Sequence, residues 1–355
     1  MKNKLPKKIL FLGETYRADA QTWIKGIEKV SGLQIETLEV KSTKTRTGRI
    51  FMFLFFLFKI LITNLKKSYD LVLAERSTSY GFFAIFVNAK RRVVAQQGIT
   101  DIWPLTEFSL MIKPFFQRQA YQKADLIHAW GDVMVPAMLE SGANPDKILI
   151  MPKGIDLSKY RFFDFPEKDR KLAVVTRSLT SVYNHSDILD ALVILKEKNI
   201  DIKVIIVGDG NLMPNLEQMA IDLNLTEQVE FTGRIPNEDL PDLLSRASMY
   251  ISVPETEGVS ASLFEAMASG CFPIVTDLPG TRAFIENGKN GFLVGVNQPE
   301  EIAIAILNYL EKPESFQSAV LENRTYIDQN VDLDQNMKRI WDRYQALFLP
   351  KQINA

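Results

Sequence analysis

Residues 254–275 read P-E-T-E-G-V-S-A-S-L-F-E-A-M-A-S-G-C-F-P-I-V, with Glu257 and Glu265 separated by seven residues. The pattern predicts a helix over Leu263–Ser269, ended by Gly270, and a buried strand that begins at Pro273-Ile274-Val275. Gly258 puts a turn in front of that helix. A turn feeding a helix N-terminus is an anion site, because the first backbone N–H groups have no partner inside the helix. Glu265 stands in the first turns of the helix and Glu257 on the loop before it, so both carboxylates can accept from hydroxyls. A phosphate held by a helix end and hydroxyls held by two carboxylates together describe a nucleotide sugar.

The chain around this stretch alternates apolar runs with helical periodicity. Ile9–Leu12, Leu33–Val40, Asp70–Ala74, Arg92–Ala95, Asp125–Trp130 and Ile148–Met151 read as strands of one parallel sheet buried on both faces. A second cycle starts at Leu172–Val175 and runs through Lys203–Val207, Val229–Phe231, Met249–Val253 and Ile274–Thr276. With 355 residues the chain is long enough for two such units. The reading places the first over 1–165, the second over 166–325, and a final helical stretch, 326–355, crossing back to the first. Residues 1–165 carry 25 Lys and Arg against 15 Asp and Glu, and the remainder carries 17 against 28. A basic first half speaks for an anionic membrane surface or acceptor. No basic-aromatic element or nucleic-acid motif accompanies it, so nucleic acid is not the expected partner. Cys271 is the single cysteine, which excludes an internal disulfide and fits a reducing compartment, with the residue as small core filler. Met1–Lys8 is basic, but only a short strand follows it, so no signal peptide is read there.

The run Glu265-Ala266-Met267-Ala268-Ser269-Gly270-Cys271-Phe272-Pro273-Ile274-Val275-Thr276-Asp277, continuing through Pro279-Gly280 to Glu286–Val294, resembles the signature of the retaining glycosyltransferases of family 4. The resemblance implies an α/β architecture of the GT-B type, two Rossmann-like doubly wound domains facing a central cleft. It implies Arg177 and Glu257 as catalytic groups, Arg177 stabilising charge on the departing diphosphate. Donor binding falls to Gly13, Gly208, Gly210, Gly233, Arg234, Gly258, Val259, Ser260, Ala261, Ser262 and Glu265. Gln97 and Gly98 stand where the family often has His-Gly, and with Asp101 they are the acceptor-side candidates. The chain departs from the family at Asn184, where a phosphate-binding Lys is usual, and at Val259-Ser260, where Phe-Gly is common. No metal site and no cofactor is expected, since the nucleotide-diphosphate sugar is a co-substrate. Asp332-Leu333-Asp334 reads as a helix cap and not as a metal motif.

The implied activity is transfer of a sugar to an acceptor hydroxyl with retention, in cell-surface glycan or glycolipid assembly. Two other readings stay open: a non-catalytic donor-binding partner subunit, motivated by Asn184 and Gln97, and a nucleotide-sugar epimerase of the same architecture. His128 and His185 are the only histidines, and His128 lies in an apolar strand as a core or crevice residue. The Phe-rich run Ile50–Ile62 follows Lys41, Lys44, Arg46 and Arg49. Its apolar length of about 13 residues gives roughly 20 Å of helix, short of a bilayer core of about 30 Å. It is read both as a helix packed on the first sheet and as a surface that dips into an anionic membrane. The acceptor is therefore expected to be lipid-linked or membrane-proximal, and the protein cytoplasmic and peripheral on the inner face of the membrane.

Overall fold

The computed structural model describes residues 5–40, 46–96, 107–163 and 168–350. The chain forms two compact units, Met1–Lys153 with Leu333–Ala355, and Gly154–Asp332. This division and the expected one at 165 and 325 differ at both joints. Residues 154–163 cluster with the second unit, and Gln317–Asn330 is a helix of that unit, so the return to the first begins only at the Leu333–Ala346 helix. Ile155 fixes the joint, its N–H donating to the Val331 carbonyl at 2.8 Å.

The first unit holds β1 (Ile9–Leu12), β2 (Ile35–Leu38), β3 (Tyr69–Glu75), β4 (Ala89–Gln96), β5 (Leu126–Ala129) and β6 (Ile148–Ile150). They form a parallel sheet in the order β2-β1-β3-β4-β5-β6. The second holds β7 (Asp169–Thr176), β8 (Lys203–Val207), β9 (Val229–Gly233), β10 (Ala247–Ser252), β11 (Phe272–Thr276) and β12 (Phe292–Val294). Their order is β12-β11-β10-β7-β8-β9, again parallel. β10 and β11 are buried along their whole length, as expected of strands covered by helices on both faces. In the second sheet the chain grows outward through β8 and β9, then returns to the other side of β7 as β10. Ligands of open parallel sheets bind at the carboxyl ends of the strands beside such a reversal. In this unit the position is the end of β7 and the end of β10.

His128 lies wholly buried in the first unit. Burial lowers its pKa to about 3, so the ring is neutral. Its Nε2 faces the Met151 carbonyl at 2.8 Å and must carry the proton; Nδ1, 2.6 Å from the Tyr344 hydroxyl, therefore accepts. His128 is thus a satisfied core residue tied to the last helix. Cys271 is buried as well, in the second unit. Beside it Lys168 Nζ donates to the Leu244, Ser245 and Ala247 carbonyls at 2.9, 3.0 and 2.8 Å.

Candidate active site

β7 delivers Arg177 to the sheet's carboxyl edge. Its guanidinium gathers groups from three other segments. Nε donates to Ser252 Oγ, the last residue of β10, at 3.0 Å. Nη2 donates to Glu257 Oε2 and to Ser260 Oγ. The Tyr183 ring lies 5.3 Å from Cζ. Only 12 % of the Arg177 side chain is exposed, so these charge-assisted bonds act largely out of water. Burial alone would lower the pKa of Arg177; Tyr250, Glu257 and Tyr183 outweigh it and hold the group above the ordinary arginine value.

Ser260 is the N-cap of the Ala261–Ala268 helix, and its Oγ accepts from the Leu263 N–H at 3.2 Å. The cap moves the helix start ahead of the expected Leu263. Ala261 and Ser262 thereby become the first helical residues, whose N–H groups have no intrahelical partner. Gly258 N–H donates back to Glu257 Oε1 at 3.2 Å, and Ser262 Oγ reaches the Thr176 carbonyl at 3.4 Å. Arg177, Glu257, Gly258, Ser260 and Ser262 are therefore one constellation. Glu265, one turn further along the helix, is half-buried. Burial raises its pKa, and the Tyr160 hydroxyl bond and the charge of Arg177 pull the other way. Tyr160 escaped the sequence reading because it falls where an interdomain break was expected.

The glycines that follow β8 have a role below this surface. A Cβ on Gly208 would stand 2.1 Å from the Arg177 carbonyl oxygen, and one on Gly210 2.2 Å from that of Leu179. Leu179 N–H donates to the Asp209 carbonyl at 3.0 Å, locking the two loops together. Gly208 and Gly210 thus support the loop that carries Arg177. Gly233 closes β9 with a φ of 65°, and Arg234 after it is exposed. Asn184 takes a left-handed φ of 46° as N-cap of the His185–Glu197 helix, and its Nδ2 donates to Asn297 Oδ1 at 3.1 Å. Its amide is thus engaged with Asn297. His185 beside it is buried, and burial with the nearby Arg177 lowers its pKa to about 4.

In the first unit Gly13 follows β1, and its turn is latched by Glu75 at the end of β3: Glu14 N–H donates to Glu75 Oε2 at 2.8 Å. Arg76, at a left-handed φ of 66°, pairs with Glu14 at 2.8 Å. Lys153 Nζ donates to Asp19 Oδ1 at 3.0 Å and lies 4.8 Å from the Trp130 ring centroid. Gly13 was legible in the sequence, whereas Glu75, Arg76 and Lys153 were not. An acid and a base directly after an apolar strand run were the available signal for the first two. Gln97, Gly98 and Asp101 lie outside the described residues. Among the described residues no group of three His, Cys, Asp or Glu side chains is placed to hold a metal ion.

A family model described as "Glycosyl transferases group 1" matches residues 158–329, nearly the whole second unit. That unit is a group 1 glycosyltransferase domain. An uncharacterised glycosyltransferase of Methanocaldococcus jannaschii is 25% identical over 80% of this chain and 76% of its own length. An N-acetylgalactosamine-N,N'-diacetylbacillosaminyl-diphospho-undecaprenol 4-alpha-N-acetylgalactosaminyltransferase of Campylobacter jejuni is 26% identical over 73% of this chain and 71% of its own. Other curated relatives align over less, 38% and 49% of their lengths in two cases. The crystal structure of Anabaena HepE in complex with UDP-glucose superposes with a TM-score of 0.74 at 18% identity, covering 96% of this chain and 99% of that one. The glycosyltransferase domain and its companion therefore have the GT-B type of fold, in agreement with the expectation from the motif.

Proposed function

We propose that this glycosyltransferase moves a sugar from a nucleotide-diphosphate donor to a hydroxyl of a lipid-linked glycan, with retention of configuration and without a metal. The observation that carries the reading is the convergence of Arg177, Glu257 and Ser260 on the N-terminus of the Ala261–Ala268 helix. Arg177 and the free N–H groups of that helix take the diphosphate. Glu257 exchanges its arginine partner for a sugar hydroxyl, and Glu265, oriented by Tyr160, takes another. The bond between the anomeric carbon and the diphosphate oxygen breaks, and the new bond to the acceptor oxygen forms on the same face. The acceptor's proton passes to the departing phosphate oxygen, whose negative charge Arg177 steadies. The UDP-glucose held by the structural relative supports a uridine donor, and the undecaprenyl-linked substrate in the name of the Campylobacter relative supports the acceptor class.

Thermal unfolding in the presence of UDP-glucose, UDP-N-acetylglucosamine, GDP-mannose and ADP-glucose tests donor binding. A ligand at 100 times its Kd stabilises by about 2.7 kcal/mol, enough for a clear rise in Tm. We expect the rise with a uridine donor; no shift with any of the four would sink the reading. Turnover is also expected to survive EDTA, because Arg177 and a helix end serve as the phosphate partners. Loss of turnover on chelation, restored by Mg²⁺ or Mn²⁺, would show that the phosphate cradle has been misassigned. Asn184, engaged with Asn297, favours one second reading, a donor-binding subunit without turnover. It predicts the same Tm rise with no transfer to any undecaprenyl-linked acceptor.

A further inference from the structure

The Arg46–Lys66 helix is apolar on two opposite sides. One side is core: Phe56 and Ile60 are buried, Phe56 against Phe83 at 5.1 Å and Tyr80 at 5.8 Å between ring centroids. Asn64 pins this side with a 2.8 Å bond from the Asn88 N–H. The other side carries Phe51, Leu54, Phe55, Phe58, Leu61 and Leu65, all exposed, Phe51 and Leu65 by 76% and 87%. At 3.6 residues per turn these six fall within an arc of roughly 120°, opposite Phe56 and Ile60. Isolated exposed leucines are ordinary, whereas a continuous stripe of this size marks a contact surface.

The surroundings say what covers it. Between Glu39 and Asp70 the sequence has seven Lys and Arg residues and no acid. Lys59 and Lys66 border the stripe along one edge, and Lys59 Nζ lies 5.6 Å from the Phe55 ring centroid. A lysine whose stem runs along an aromatic stripe holds its ammonium at the level where lipid phosphates begin. Among the described residues no helix is long and apolar enough to cross a membrane. Apolar residues on one arc, cations at its border and no acids form the pattern of a helix lying in the interfacial plane of an anionic bilayer.

We infer that this arc docks the first unit on an anionic lipid surface, with Phe51, Phe55 and Phe58 in the acyl boundary and Lys59 and Lys66 at the phosphates. The inference names the membrane partner of the lipid-linked acceptor reading and rests on it for its purpose. Docking itself is read without donor or acceptor. The probe is co-sedimentation of the full chain with phosphatidylglycerol/phosphatidylcholine vesicles and with phosphatidylcholine vesicles alone. The triple variant Phe51→Ser/Phe55→Ser/Phe58→Ser touches only exposed positions. It should keep the wild-type Tm and donor response and lose partitioning about 100-fold. Lys59→Gln/Lys66→Gln should lose about 30-fold on anionic vesicles only. Equal partitioning of the triple variant and the wild type would overturn the inference, as would equal binding of the wild type to both vesicle types. A wild-type dimer that the triple variant dissolves, without vesicle binding, would assign the stripe to a second copy of the chain and overturn it as well. Vesicle binding without any donor-induced Tm shift would leave docking standing and remove the transferase reading instead.

Discussion

Arg177→Ala should lower turnover on the order of 100-fold, the cost of a lost donor aimed at developing charge. Arg177 also holds Ser252, Glu257 and Ser260 in one constellation, so its removal disorganises the loop that receives the sugar. Arg177→Lys separates the two effects. It keeps the charge but cannot reach three acceptors with one planar fork, and should recover only part of the rate. Glu265→Gln preserves size and removes the carboxylate; it should fall by a similar factor, with its loss expressed in kcat as well as in KM. The measurement is transfer from the donor that raises the Tm to an undecaprenyl-linked acceptor. Wild-type kcat in Arg177→Ala would remove this side chain from the reaction.

Gly208→Ala should be among the most damaging single-methyl changes in the second unit. The added Cβ meets the backbone of Arg177 at 2.1 Å, and the φ of 150° is one that L residues avoid. Neither segment can easily yield, since each directly follows a strand of the same sheet and the two are joined by the Leu179 N–H bond to the Asp209 carbonyl. Strain of this kind costs about 3 kcal/mol or more. At about 2–4 °C per kcal/mol for a domain of this size, the Tm should fall by roughly 6–12 °C. Gly288→Ala is the matching control. Its φ is 75°, but nothing lies within 4 Å of the added carbon, so only the backbone penalty of about 1–2 kcal/mol applies. Donor affinity should drop in the Gly208 variant and not in the control. Equal Tm losses in the two would mean that close approach to Arg177 is not what position 208 protects.

The inner strands were legible because they are covered on both faces and so appear as unbroken apolar runs, whereas β12 at the edge, three residues long and only partly buried, was not. The motif loop was legible because its glycine, acids and following helix are contiguous. Contacts between distant segments were not. Nothing local in Tyr160 announces Glu265, and nothing local in Ser252 announces the guanidinium of Arg177. The helix start was placed late because apolar periodicity begins at Leu263, whereas the structure begins the helix where Ser260 caps it. The two faces of the Phe-rich helix were hidden for a different reason: a helix apolar all round has no periodicity from which its core side can be chosen. Asn184 was singled out for what it is not, and only its bond to Asn297 shows how its amide is used.

The first unit is built from both ends of the chain, and this has a consequence for biosynthesis. His128 and its partner Tyr344 are 216 residues apart. At about 5–20 residues per second, roughly 10–40 seconds pass between the synthesis of the two. Throughout that interval the nascent first unit lacks the side chains of Met337, Ile340, Trp341 and Tyr344, all buried in the finished protein. The second unit is contiguous in sequence and closes once Val331 has emerged, without waiting for the last helix. The expected order of assembly is therefore the reverse of the order of synthesis. Released chains truncated near residue 332 should protect the second unit from protease and leave the first open to it, and chains that include the last helix should protect both.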